Sequence, residues 1–333
     1  MSTVEADTRE EVLDELRDAS RFVLVTHENP DGDALGSLVA MHRILLALGK
    51  DSVMFMAADE FPLPWEYRGF QFDGLVGAPP VDVAERTIVF LDCGNIDRMP
   101  VDFLQADGLH ILNIDHHHDN TRFGTVNLVC SIASCTAEMV WRIAKELDAE
   151  ITPEIAKALY VGLVTDTGRF MYENTSATAH RMAAELIDAG VQPHVVYREL
   201  YEDLPFGRLQ LLQRALASVE RHDDGAVTIA HLTKGDYEAT GALETDSEGV
   251  VDHMRAVEGT KVAVLVRELL SHDRSGMRKV SLRATDGSVD VSSIAREFGG
   301  GGHPQAAGFS TAVPYPELVE KLRGYVRDQL PAS

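Results

Sequence analysis

Apolar runs of strand length recur through the first half of the chain, and each gives way to a residue with a ligating side chain. The run over 22–26 leads into His27, that over 87–91 into Asp92, and that over 109–114 into Asp115. Largely apolar runs of this length suit strands buried on both faces. Between them the spacing predicts helices. A short amphipathic one covers 9–18, with Val12, Leu13 and Leu16 on one side. The next covers 34–48 and stops at Gly49. Others cover 135–147, 153–163 (ending near Asp166) and 176–189, the last capped by Ser176 and stopped by Gly190. Residues 53–56 predict a further strand. The stretch 57–86, with its prolines, glycines and aromatics, predicts irregular structure. Strands alternating with helices imply a parallel α/β sheet, whose sites form beyond the carboxyl ends of the strands.

After Gly190 the pattern changes. Residues 192–221 read as helical, 226–232, 261–269 and 278–284 as strands, and 248–257, 290–298 and 315–329 as helical stretches. The expectation is an α/β protein in three parts: a parallel-sheet N-terminal domain over 1–190, a helical connector over 191–221, and a smaller α/β domain over 222–333. A length of 333 residues, too great for one ordinary core, agrees with this division. No internal repeat or low-complexity segment is evident.

Composition narrows the function. Hydrophobic residues make up 45% of the chain, enough for full cores. Lys and Arg total 30 against 53 Asp and Glu, a formal net charge of -23, which argues against broad binding to long nucleic acid. A short anionic substrate held by a few cations and metals is not excluded. Acids spread along the whole chain would suit a high-salt cytoplasm, where self-repulsion is screened. The cysteines, Cys93, Cys130 and Cys135, lack metal-site spacing and are too few for a disulfide framework, so reduced buried thiols and a cytosolic location are expected. No apolar run reaches the length of a membrane span, and the acidic start (Glu5, Asp7, Glu10, Glu11) carries no signal-peptide core.

Four stretches bring chemistry to one sheet edge: His27, Asp31 and Asp33 on the turn His27-Glu28-Asn29-Pro30-Asp31-Gly32-Asp33; Asp92; Asp115-His116-His117-His118; and Asp166 within Thr165-Asp166-Thr167-Gly168. Each alone has a plain reading. Asp31 and Asp33 suit turn or cap positions, Asp92 and Asp166 suit helix caps, His27 suits an interior histidine, and Cys93 suits a small buried filler. Together they supply carboxylates and imidazoles, the ligands of Mn, Fe or Zn, in a number too large for one ion. Two divalent cations sharing a carboxylate fit better.

In this order the motifs resemble the DHH phosphoesterase superfamily, named for the triplet present at Asp115-His116-His117. The tail Phe298-Gly299-Gly300-Gly301-Gly302-His303-Pro304-Gln305-Ala306-Ala307-Gly308 resembles the DHHA1 domain that accompanies one branch. The resemblance covers nearly the whole chain. It implies an active site in the cleft between two domains, and two divalent cations there, Mn2+ before Mg2+. It implies that His27 and Asp31 bind one ion, Asp33 and His116 the other, that Asp92 bridges both, and that Asp166 serves one or both. Asp115 would orient His116, and His117 would face the scissile phosphate. His118 departs from the family, where proline is common, and reads as a loop residue.

The glycine run at 299–302 reads as an anion-binding nest free of packing demands, with His303 adding a donor. Gly300, Gly301, Gly302 and His303 are thus candidate substrate-binding residues, with Arg283 resembling the family's substrate-binding arginine. The catalytic candidates are His117, Asp92 and Asp115.

The domain pairing resembles the oligoribonuclease and pAp phosphatase group. It implies hydrolysis of short RNA or DNA oligonucleotides, or of 3'-phosphoadenosine 5'-phosphate (pAp), by a hydroxide generated between the two cations. Relatives often dimerise, so a homodimer is carried over as an expectation, and no membrane is expected as a partner. Alternatives are a cyclic- or linear-dinucleotide phosphodiesterase, a RecJ-like single-strand exonuclease, and a nucleotide-binding module without turnover. A pyrophosphatase would share the first four motifs but lack the glycine run.

Overall fold

The computed structural model describes residues 3–61, 63–99, 101–106, 108–202, 204–271 and 275–330. The chain divides into two compact units, Met1–Glu202 and Asp203–Ser333, parted within the stretch read as a connector.

The first unit contains α1 (Thr3–Asp18), β1 (Arg21–Val25), α2 (Gly32–Ala47), β2 (Asp51–Phe55), β3 (Leu75–Val76), β4 (Thr87–Leu91), β5 (Ile111–Asp115), β6 (Val126–Val129), α3 (Thr136–Glu146), α4 (Pro153–Asp166), α5 (Ala177–Asp188) and α6 (Pro193–Tyr201). Its sheet has the order β3-β2-β1-β4-β5-β6, and all its pairings are parallel. Strand order therefore reverses between β1 and β4, opening a crevice at their carboxyl ends. Alternate residues serve opposite faces. Phe22, Leu24, Val89, Leu91, Leu112 and Ile114 join a core under α2, α3 and α4. Val23, Val25, Ile88, Phe90 and Ile111 join another, roofed by Met99, Leu104 and partly buried Phe103 from the loop after β4.

The helices α2 and α4 cross closely because glycines meet there. A Cβ on Gly36 would lie 2.4 Å from the Ala158 carbonyl oxygen, and one on Gly162 2.8 Å from both Ala137 Cβ and Asp33 Oδ1. The crossing sets the start of α2 and the end of α4 at the same rim. The helix stops read from the sequence hold: Gly49 has φ +75° and Gly190 φ +110°.

The second unit contains α7 (Phe206–Ala217), β7 (Glu220–His222), β8 (Val227–Leu232), α8 (Lys234–Thr240), α9 (Val250–Arg255), β9 (Val262–Glu268), β10 (Arg278–Ala284), α10 (Val291–Glu297), β11 (Gly301–His303), β12 (Ala306–Thr311) and α11 (Tyr315–Gln329). Its mixed sheet has the order β11-β12-β10-β9-β8-β7, with only β8 and β9 parallel. Val280, Leu282 and Ala284 pack with α10 and α11 on one face. On the other, Ala230, Leu232, Ala263 and Leu265 pack with α7, α8 and α9.

The sequence pattern does not predict β3, β6, β7, β11, β12 or α8. The strands are short, as in β6, or rich in glycine and alanine, as in β11 and β12, and so lack the β-branched runs that signal a strand. The seven-residue α8 stands on a local cap in which the Asp236 carboxylate accepts the Thr233 N–H at 2.9 Å.

Candidate active site

The groups singled out at the sheet edge converge in the first unit. His27 follows β1 and is almost fully buried. Asp31 caps α2, its Oδ1 accepting the N–H groups of Asp33 at 3.0 Å and Ala34 at 3.1 Å. Gly32 is required between them, since a Cβ there would come within 2.4 Å of Thr165 Oγ1. Asp92 follows β4 with φ +60°, a left-handed conformation that costs free energy in a non-glycine residue and turns its carboxylate into the crevice. Asp115 ends β5, and Asp166 ends α4.

Their ligand atoms form two adjoining groups, each within 4.8 Å: His27, Asp31 and Asp92; and Asp33, His116 and Asp166. Asp92 connects them. Its Oδ2 lies 3.8 Å from His27 Nε2, and its Oδ1 lies 3.6 Å from His116 Nε2 and 3.7 Å from His117 Nδ1. His116 Nε2 is 4.0 Å from Asp33 Oδ2 and 3.7 Å from Asp166 Oδ2.

One expectation is corrected. The resemblance gave Asp115 the task of orienting His116, but its Oδ1 bonds His117 Nδ1 at 2.7 Å. Residues two apart on extended chain share a side, so Asp115 meets His117 rather than His116. His118 is exposed.

Other groups that hold the site were not read from the sequence. The Thr136 N–H donates to Asp33 Oδ2 at 2.6 Å, the Ala137 N–H to Asp33 Oδ1 at 2.9 Å, and the Thr136 hydroxyl to Asp92 Oδ1 at 2.9 Å. The first turn of α3 thus presents its unpaired N–H groups to a buried carboxylate. Asn174 Nδ2 donates to Asp166 Oδ2 at 3.0 Å and to the Ser134 carbonyl at 2.8 Å. Asn120 Nδ2 lies 2.5 Å from Asp115 Oδ2 and 2.7 Å from Asn113 Oδ1. Local spacing carries no signal for these contacts, apart from the N-cap geometry of α3.

Crowding shifts the ionisations. Burial, followed by the charges of Asp92, Asp166 and Asp31, pushes the Asp33 carboxyl well up. Burial also raises Asp166 to about 7, with Asp92 and Asp31 adding to the rise and His116 opposing it. For Asp92, burial is outweighed by His27, His116 and His117, and its pKa falls. Burial alone would lower His117, but its bond to Asp115 and the charges of Asp92 and Asp115 lift it to about 9. Buried carboxylates this close repel one another unless cations lie between them. With imidazole nitrogen beside carboxylate oxygen, the donor set fits divalent ions. Burial raises the Cys93 thiol to about 12, as suits an inert filler, and all three cysteines are free.

The chain's first segment matches the model of the DHH family N-terminal domain over residues 21–163, and its second matches the DHHA1 domain over 229–330. Over 315 residues it is 35% identical to the bifunctional oligoribonuclease and PAP phosphatase NrnA of Thermus thermophilus, covering 92% of this chain and 89% of the relative. The chain belongs to the DHH phosphoesterase family. The protein of the same name from Bacillus subtilis is 26% identical over 294 residues, covering 87% of this chain and 88% of that relative. The crystal structure of an exopolyphosphatase-related protein from Bacteroides fragilis shares the fold with a TM-score of 0.87 at 23% identity, covering 98% of each chain. As a member of this family the chain is a metal-dependent hydrolase of phosphoric ester bonds. Among the described residues no helix is long and apolar enough to cross a membrane.

In the second unit, Arg283 lies on β10 opposite Ala306 and Ala263, half-buried, with its Nε 3.7 Å from Asp252 Oδ1. On the neighbouring strand β9, opposite Lys279, Arg267, 5% exposed, donates to Ser247 Oγ, Glu248 Oε1 and Ser281 Oγ. The glycine run forms a turn and the strand β11, which pairs with β12. Packing does act on part of it, contrary to the sequence reading. A Cβ on Gly300 would meet the Gly308 carbonyl oxygen at 2.2 Å, and Gly302, with φ +135°, would meet the Ala306 carbonyl oxygen at 2.5 Å. Gly301 has nothing within 4 Å of that position.

Proposed function

We propose that this chain hydrolyses short oligonucleotides and 3'-phosphoadenosine 5'-phosphate, the activities named for its Thermus and Bacillus relatives. The reading rests on one observation: His27, Asp31 and Asp92 adjoin Asp33, His116 and Asp166 at the point where strand order reverses.

In this reading His27 and Asp31 would hold one divalent cation and Asp33 and His116 a second, with Asp92 and Asp166 completing the ligand set. Such a pair supplies a nucleophilic hydroxide near neutral pH and offsets charge on the phosphoryl group. Mn2+ is the first candidate and Mg2+ the second. His117, kept cationic by Asp115, offers its remaining N–H to a phosphoryl oxygen. Thr136, Ala137 and Asn174 hold Asp33, Asp92 and Asp166 in place. Arg283, Gly300, Gly301, Gly302 and His303 are the substrate-binding residues of the second unit in this reading, a guanidinium fork suiting a terminal phosphate. The division of labour follows residues 1–190 for metal and catalysis and 222–333 for substrate. A cytoplasmic, high-salt setting and a homodimer complete the proposal.

A substrate panel with Mn or Mg at high and low salt tests it. The panel holds pAp, di- to pentanucleotides, long single strands, cyclic dinucleotides and pyrophosphate. Mononucleotides from the short RNAs and phosphate from pAp are expected. Failure of both with Mn present overturns the reading, and turnover of another member alone replaces the substrate.

A further inference from the structure

One cation in the first unit stands against the acidic site without an acid of its own. Arg98 ends the short turn Ile96–Arg98 after β4, where Asn95 caps the turn by accepting the Asp97 N–H. Its carbonyl accepts the Glu28 N–H at 2.7 Å, which locks the turn to the His27-Glu28 corner. Its half-buried side chain has no carboxylate partner among the described residues. The guanidinium contact is His27, with Nη2 3.1 Å from Nδ1.

That contact competes with another. His27 Nδ1 also lies 2.8 Å from the Glu28 carbonyl oxygen. A guanidinium only donates, so Nδ1 accepts from Arg98 only when the imidazole proton is on Nε2. A carbonyl only accepts, so the Glu28 contact requires the proton on Nδ1. Nε2 is the nitrogen that faces Asp92, at 3.8 Å. For Nε2 to act as a ligand it must be unprotonated, which leaves the proton on Nδ1 and the bond on Glu28. Arg98 then loses its acceptor. A half-buried guanidinium in that position is satisfied by an oxyanion, which it binds through two parallel N–H groups. The charge of Arg98 also acts on His117.

We propose that Arg98 is a phosphate-binding residue of this site, which leaves His27 for a substrate phosphoryl oxygen whenever His27 ligates through Nε2. The inference rests on the phosphoesterase reading and adds a substrate contact made within the first unit. The two contacts of His27 Nδ1 are mutually exclusive, so a His27 bonded to the Glu28 carbonyl would leave Arg98 free for the phosphate.

The test uses full-length wild type, Arg98→Lys and Arg98→Met, with thermal melts to establish folding. Mn affinity is measured by titration, and the affinity of the Mn-loaded protein for inorganic phosphate is measured separately. Arg98→Met is expected to bind phosphate at least about tenfold more weakly, the worth of a charged hydrogen bond, while its Mn affinity is unchanged or higher. Arg98→Lys, which keeps the charge but not the fork, is expected to fall between and serves if the methionine variant does not fold. Weaker Mn binding with unchanged phosphate affinity would make Arg98 a positioning residue for His27 and overturn the proposal. Phosphate affinity equal in all three proteins would also overturn it. Because phosphate binding is read without turnover, a wild type that binds phosphate but hydrolyses no nucleotide refutes the substrate reading and leaves this inference standing.

Discussion

The Thr136 N–H donates to Asp33 Oδ2 at 2.6 Å, tying the first turn of α3 to the first turn of α2 across 103 residues of sequence. The same residue's hydroxyl reaches Asp92 Oδ1 at 2.9 Å, so one threonine orients carboxylates from two of the four motifs. Thr136→Val keeps the shape and the backbone donor and removes only the hydroxyl. Groups that orient metal ligands are worth roughly 10–100-fold in affinity or activity. Mn affinity is expected to fall within that range, with the melting temperature nearly unchanged. A titration on the two proteins checks it, and equal affinities would remove Thr136 from the site's support.

The glycine run separates packing from binding. Gly300→Ala would drive a Cβ to 2.2 Å from the Gly308 carbonyl oxygen and is expected to destabilise the β11–β12 hairpin. Gly301→Ala has open space at that position and is expected to fold normally. If residue 301 approaches the substrate, the added methyl raises KM for a dinucleotide while leaving the melting temperature alone. Steady-state kinetics with melts on both variants decide, and a Gly301→Ala enzyme with wild-type KM would confine the run to a structural role.

How much of this was legible in the sequence follows from where each signal is stored. His27, Asp92 and Asp115 could be found because a buried parallel strand is a largely apolar run and its end is a sharp change of character. Gly49 and Gly190 marked helix ends because their positive φ restricts the residue type. Thr136, Asn174 and Asn120 were invisible: their hydrogen bonds cross 44, 8 and 5 positions to the site carboxylates, and a lone Thr or Asn has many ordinary uses. The Asp115–His117 bond was hidden for a different reason, since it depends on which side of the chain each residue takes after β5. At residues 299–302 composition misled, because close strand approach and anion binding both call for glycine.

Removing divalent ions should make stability depend on pH with a definite sign. Asp166, at about 7 when folded against 3.8 ordinarily, destabilises the fold progressively as pH rises through that interval, and Asp33 is shifted the same way. His117, at about 9 against 6.5, stabilises fully below its ordinary value, and this is lost as pH rises through about 9. His27 is raised too, the acids Asp92 and Asp31 overcoming its burial. The lowered Asp92 and Asp115 contribute fully above 3.8 and are flat in the neutral range. Chelator-treated protein is therefore expected to melt at a lower temperature at about pH 9 than at about pH 6, and Mn should recover most of the difference. A melting temperature of the stripped protein that rises over this window would contradict the assigned crowding.

The most direct test of the two-ion site is the number of Mn ions bound per chain, read by equilibrium dialysis with elemental analysis on wild type and Asp92→Asn. Two ions per wild-type chain are expected, with at least one lost in the variant, whose amide cannot bridge two cations. A wild-type chain that retains no Mn, or a variant that holds two as tightly as wild type, would contradict it.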